Sequence, residues 1–148
     1  AARLLHPLMQ RDEEIAVARQ HGAHVRLGVD LRLQAPRDLQ GDILLVPIPF
    51  TDLSSAKRRP VIVISCNDYH LATRDMVVVA MTSNLAATPY SFVLDQSGLV
   101  AGTLKHQSRV RVDKIYSLAQ NIVVTTFGHV NDATLDRIRK LLTELCKK

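Results

Sequence analysis

Residues 41–66 read GDILLVPIPFTDLSSAKRRPVIVISC, two apolar extended segments joined by a polar, cationic loop. The first segment, 41–50, carries Pro47 and Pro49 on one side. Proline gives no N–H to a sheet ladder, so this suits an edge strand or one that breaks up near a loop. The second, 60–66, is β-branched and apolar on both faces, which predicts a central strand covered from both sides. Between them TDLSSAKRR (51–59) is too polar to bury, and Pro60 biases Arg59 towards extended backbone where the loop enters the strand.

Downstream the chain continues as short segments. NDYHLATRD (67–75) predicts a turn or short helix, and MVVVAMTS (76–83) a buried strand ending in hydroxyls. Then come a strand at SFVLD (91–95), a turn at Gln96-Ser97-Gly98, a strand pair across 103–118 and a strand at VVTTFGHV (123–130). A helix closes the chain, capped by Asn131 or Asp132, with Leu135, Ile138, Leu142 and Leu145 as its apolar stripe. Many short strands and one terminal helix predict a mainly β, α+β fold: a small, partly closed antiparallel barrel with the helix packed on it.

Upstream, residues 1–40 read as a separate N-terminal extension to a core of 41–148. Helix formers over 12–20, with acids early and Arg19 late, predict a short helix. Strict alternation from Val25 to Gln34 predicts a strand, and Ala35-Pro36-Arg37 a linker.

Composition narrows the function. A hydrophobic share of 47% over 148 residues suffices for one core, and no apolar run reaches the roughly 20 residues that span a bilayer. A cytoplasmic protein with no membrane partner is the expectation. The net charge is +5, and from Gly41 onward 13 Lys and Arg stand against 9 Asp and Glu, so the core carries most of the excess. A polyanionic partner is compatible with this, though charge alone does not establish one. Aromatics are only 4% and Trp is absent, which argues against recognition by stacked rings. The six histidines show no metal-ligand spacing beyond His21 and His24, whose segment lacks a carboxylate or third ligand, and neither a phosphate-cradling glycine loop nor a hydrolase elbow occurs. No cofactor or metal is expected. Cys66 and Cys146 are read as reduced thiols, Cys66 as a buried, inert one.

Three segments could do chemistry. In KHQSRVRVDK (105–114), a regular strand would project Lys105, Gln107, Arg109, Arg111 and Asp113 from one face and Val110 and Val112 from the other. Arginine suits phosphate because its planar fork of donors matches the oxygens, and Asp113 could orient Arg111 or act as a base. The plain alternative is a solvated face with a weak ion pair. Lys57-Arg58-Arg59 places cations at the mouth of a strand, where a basic loop more often serves solubility. Thr82-Ser83-Asn84 offers hydroxyls at a strand end, which usually cap turns.

Together, GDILLVPIPFTDLSSAKRRPVIVIS (41–65), VVVAMTSN (77–84), LKHQSRVRVDKIYSL (104–118) and the terminal helix resemble the MazF/PemK toxins of type II toxin–antitoxin systems. The resemblance spans roughly 41–148. It implies an SH3-like barrel, a homodimer, a cognate antitoxin partner and metal-independent, sequence-selective cleavage of single-stranded RNA (mRNA). Carried over residue by residue, it implies Arg59 and Thr82 in the active site, Ser83 as a neighbouring substrate contact, and an Arg-x-Asp pair falling on Arg111 and Asp113. The expected RNA-binding set is Lys57, Arg58, Ser83, Asn84, Gln107 and Arg109. Some relatives use a histidine in the first loop for proton transfer. TDLSSAKRR has none, so Asp113 or substrate-assisted transfer would have to substitute, and since arginine is a poor proton donor the acid is unassigned. The same barrel also serves gyrase-inhibiting toxins of the CcdB type, which end in Trp-Gly-Ile where this chain ends Cys146-Lys147-Lys148, and a catalytically silent binding module is the third alternative.

Overall fold

The computed structural model describes residues 39–49 and 56–148. The helix expected over 12–20, the strand over 25–34 and the linker at 35–37 lie outside the described residues, as does most of the loop 51–59. Among the described residues seven strands and two helices follow in order: β1 (Asp42–Pro49), β2 (Ala56–Val63), α1 (Asn67–Ala72), β3 (Asp75–Thr82), β4 (Ser91–Leu94), β5 (Leu99–Gly102), β6 (Ser108–Ala119), β7 (Thr125–Val130) and α2 (Asp132–Leu145). Short 3-10 turns sit at Gln96–Gly98 and Gln120–Ile122. Among the described residues no helix is long and apolar enough to cross a membrane.

All pairings are antiparallel, in the order β4-β6-β3-β2-β1-β7-β5. β4 and β5 end opposite sides of that order, yet a single 3-10 turn joins them in sequence. A sheet whose two edges are tied by so short a link has to curl, and the outcome is the expected partly closed barrel. Helix α2 docks on this tie: Asn131 N–H and Thr134 Oγ1 both donate to the Gly98 carbonyl, at 2.8 and 3.0 Å.

Because side chains alternate across a strand, the sheet carries two apolar clusters. One contains Ile43, Ile62, Val79, Met81, Val110 and Val112, and it is sealed by Leu135 and Ile138 of α2. The other, on the opposite face of the central strands, contains Leu44, Val46, Ile48, Val61, Val63 and Val78. The doubly apolar pattern of 60–63 is thus the pattern of a strand covered on both sides, as the sequence predicts.

Three local expectations need correction. Of the two readings offered for 41–50, the edge strand fails, since β1 lies between β2 and β7, and the strand that breaks up near a loop fits better. The β7 partner of β1 covers only Asp42–Leu45. The Leu45 carbonyl faces β7, accepting from Val124 N–H at 2.9 Å. Alternation turns Pro47 and Pro49 to that same side, past the end of the pairing, where their missing N–H groups cost nothing. The strand pair expected across 103–118 is instead β5 at 99–102 and β6 from Ser108 onward, with Lys105 to Gln107 exposed between them. Finally, Cys66 is exposed: β2 ends at Val63, and Cys66 is the N-terminal cap residue of α1.

Candidate functional site

On the face of the second apolar cluster, beyond Ile48, the central strands frame a cleft of about 200 Å³. Strand register decides which side chains reach it. Val61 of β2 lies opposite Ala80 of β3, Ala80 opposite Arg111 of β6, and Thr82 opposite Arg109. Directly opposed residues share a face, and so do residues two apart along a strand. Arg59, Thr82, Arg109 and Arg111 are therefore delivered to one side of three adjacent strands, and all four line the cleft. Neighbouring strands are about 4.8 Å apart, so Thr82 on β3 stands between Arg59 on one side and Arg109 and Arg111 on the other.

β6 does not run regularly past this point. Val79 faces Ile115 while the next residue, Ala80, faces Arg111, so Val112, Asp113 and Lys114 form a bulge. An odd number of extra residues reverses the alternation. Before the bulge Arg109 and Arg111 face the cleft; Lys114, its last residue, and Tyr116, beyond it, face the cleft as well. Sequence reasoning missed Lys114 and Tyr116 because it assumed unbroken alternation, and no glycine or proline in VRVDKIY marks the irregularity.

Asp113, inside the bulge, does not line the cleft. It grips Arg111 from beside it: Arg111 Nε and Nη2 donate to Asp113 Oδ1 and Oδ2 at 2.8 and 2.7 Å. The side chains are 25% and 27% exposed, respectively. Those hydrogen bonds hold the Asp113 carboxyl below the usual carboxylate range, and the carboxylate in turn raises the Arg111 guanidinium above the ordinary arginine value. Arg111 keeps its Nη1 group clear of this fork.

The remaining expected residues separate. Asn84 lines the cleft, and its Oδ1 accepts from Ala86 N–H at 3.0 Å. Its own N–H donates to Thr82 Oγ1 at 3.2 Å. Ser83 is exposed and stands outside the lining. Lys57 shares a face with Arg59 but lies further along β2 and is exposed; Arg58, one residue off, points to the opposite face. Gln107 precedes β6 and is exposed away from the cleft. Among the described residues no group of three or more His, Cys, Asp or Glu could hold a metal ion. The cleft thus offers guanidinium and ammonium charges, threonine hydroxyls and a phenol around one space of about 200 Å³.

Compared with known proteins, residues 39–146 match the family of PemK-like, MazF-like toxins of type II toxin–antitoxin systems. No curated protein matches. Solved structures with a similar fold include an endoribonuclease from a mycobacterial species, 20% identical, covering 74% of this chain and 91% of that one, with a TM-score of 0.59. A mycobacterial endoribonuclease in complex with its cognate antitoxin is 21% identical, covering 72% and 92%, TM-score 0.56. MazE-MazF (Form-II) from Deinococcus radiodurans is 22% identical, covering 73% and 93%, TM-score 0.56. At these identities the likeness is one of fold.

Proposed function

Because the chain belongs to the PemK-like, MazF-like toxins of type II toxin–antitoxin systems, we propose that it is a metal-independent endoribonuclease cutting single-stranded RNA at selected sequences. The observation that carries this is the convergence of Arg59, Thr82 and Arg111 on one cleft from three different strands. The proposed reaction uses the RNA 2′-hydroxyl as nucleophile. Its oxygen bonds to the adjacent phosphorus as its proton leaves, the bond to the 5′-oxygen breaks, and that oxygen takes up a proton. The products are a 2′,3′-cyclic phosphate and a 5′-hydroxyl. The protein's task is to neutralise charge growing on the phosphoryl oxygens and to hold the reacting atoms in line.

Arg59 and Thr82 stabilise those oxygens, with Arg111 as second cation. Asp113 acts by orienting Arg111: a carboxylate bonded through both oxygens and held at low pKa is a poor proton acceptor. Lys114 and Tyr116 each carry a transferable proton into the cleft and are the candidates for the acid. The antitoxin is the partner proposed for this cationic face, by analogy with the mycobacterial endoribonuclease solved with its cognate antitoxin, and the working unit is a cytoplasmic homodimer.

The test is incubation of the purified protein with a long single-stranded RNA in EDTA, beside an Arg59→Ala variant. Cutting by the parent and a loss of at least about 100-fold in the variant is expected. Intact RNA in both lanes, from protein shown to be folded, returns the chain to the gyrase-inhibitor or silent-module alternatives.

A further inference from the structure

Arg109 stands apart from the other cleft cations. It is 9% exposed, and its guanidinium is already engaged with the loop 83–90 that forms one rim of the cleft. Nε and Nη2 donate to the Leu85 carbonyl at 3.2 and 3.1 Å, near the start of that loop. Nη1 donates to Ser91 Oγ at 2.9 Å, just past its end. Ser91 Oγ then donates to the Thr88 carbonyl at 2.6 Å and lies 2.8 Å from Thr88 Oγ1. Its two lone pairs are taken by Arg109 and Thr88 and its proton by a carbonyl, so the hydroxyl is fully used. The loop closes at Tyr90, whose φ of 53° is left-handed and whose carbonyl accepts from Val112 N–H at 3.0 Å. A non-glycine residue keeps such a conformation only where its surroundings enforce it.

From this geometry we propose that Arg109 is a positioning residue: it fixes loop 83–90 in one shape and thereby sets which RNA sequences the cleft accepts. This rests on the endoribonuclease reading and gives the sequence selectivity a physical origin. Asn84, Ala86 and Thr88 project from the loop into the cleft, where a base beside the scissile phosphate would lie. Arg109 holds the backbone between them. The competing role is a direct phosphate grip, which is indifferent to sequence.

Three proteins separate the two roles: the parent, Arg109→Lys and Ser91→Ala. Lysine keeps the charge but its compact ammonium cannot reproduce a fork that holds Leu85 and Ser91 together. Ser91→Ala removes the far anchor without touching a cation, and it stands as the test if the lysine variant does not fold. The readout is the spectrum of 5′ ends cut from a randomised RNA pool, with amide hydrogen exchange over 84–90 measured on the same samples without RNA. Positioning predicts that both variants lower the preference for the best sequence over the next by about tenfold, with faster exchange in the loop. An unchanged preference with a uniform fall in rate, or loop amides as protected as the parent's, overturns it. Should the parent cut no RNA, the endoribonuclease reading fails by itself, and the exchange measurement still decides whether Arg109 holds the loop.

Discussion

Arg111 and Asp113 form a two-point pair whose consequences can be read with pH. Asp113 titrates below the usual carboxylate range when folded. Its contribution to stability is therefore fully present above about pH 4, where an unfolded aspartate is also ionised, and is lost as pH falls through the depressed folded value. The Arg111 shift is upward, so its share is lost only in strong alkali. Since both side chains are about a quarter exposed, the pair is worth about 1 kcal/mol or less. Asp113→Asn should lower the melting temperature at pH 7, and the gap to the parent should narrow as pH falls below about 4; a gap independent of pH would contradict the lowered pKa. The same variant separates its two possible catalytic roles. An orienting Asp113 predicts a rate loss of about 10- to 100-fold with the shape of the pH–rate profile between 5 and 8 retained, whereas a base predicts that one limb of the profile vanishes. For the acid, Lys114→Met and Tyr116→Phe are compared in single turnovers, and one of them is expected to lose about 100-fold or more. Equal rates in parent and both variants would hand that proton to solvent or to the substrate. Of the face expected from i, i+2 alternation over 105–113, Arg109 and Arg111 do line the cleft while Asp113 falls in the bulge, and Arg59 and Thr82 are candidates through the family resemblance rather than through pattern. Lys114 and Tyr116 were not legible, since the first lies in, and the second just beyond, a three-residue bulge that carries no mark in the sequence.

Among the elements, the strands announce themselves through β-branched runs, and the terminal helix through its stripe and cap. What the pattern leaves open is where one element gives way to the next. Apolar and polar residues mix over 99–107, so the pattern predicts a strand pair starting at 103 and gives no sign of β5 at Leu99–Gly102. Gly102 shows what fixes that end. Its φ is 84°, and a Cβ placed there would lie 2.2 Å from the Phe127 carbonyl oxygen, an atom of the paired backbone. Gly102→Ala should thus destabilise by roughly 2 kcal/mol or more, seen as an earlier urea midpoint. The start of α2 is a milder case. Asn131 Oδ1 accepts from Thr134 N–H at 2.9 Å and Asn131 Nδ2 donates to the Ser97 carbonyl at 3.0 Å, so this side chain caps the helix and ties it to the turn between β4 and β5. Asn131→Ala is expected to cost about 1 kcal/mol or slightly more while leaving RNA cleavage at 25 °C unchanged. A comparable loss of cleavage would mean that α2 communicates with the cleft on the opposite face of the sheet.

At the scale of the whole molecule the sheet divides its labour by face. One face is closed by α2 over the larger apolar cluster, while the other buries its apolar residues at one end and gathers cations at the other. A net charge of +5 describes the total; the arrangement of strands concentrates it where Arg59, Arg111 and Lys114 meet. Lys57 extends the same face along β2. If RNA lies there, each neutralised phosphate releases counterions, and for single strands the logarithm of affinity falls with the logarithm of salt at about 0.7 per contact. Taking Arg59, Arg111 and Lys114 as the phosphate contacts, and leaving Arg109 to its loop, the slope of log kcat/KM against log salt should be about −2. Lys114→Met should reduce it by about 0.7, whereas Arg58→Met, altered on the opposite face, should leave it unchanged. The measurement is cleavage of one short RNA from 50 to 300 mM salt with substrate well below KM. A slope near zero, or one that responds to Arg58 and ignores Lys114, would place the RNA path on the other side of the sheet.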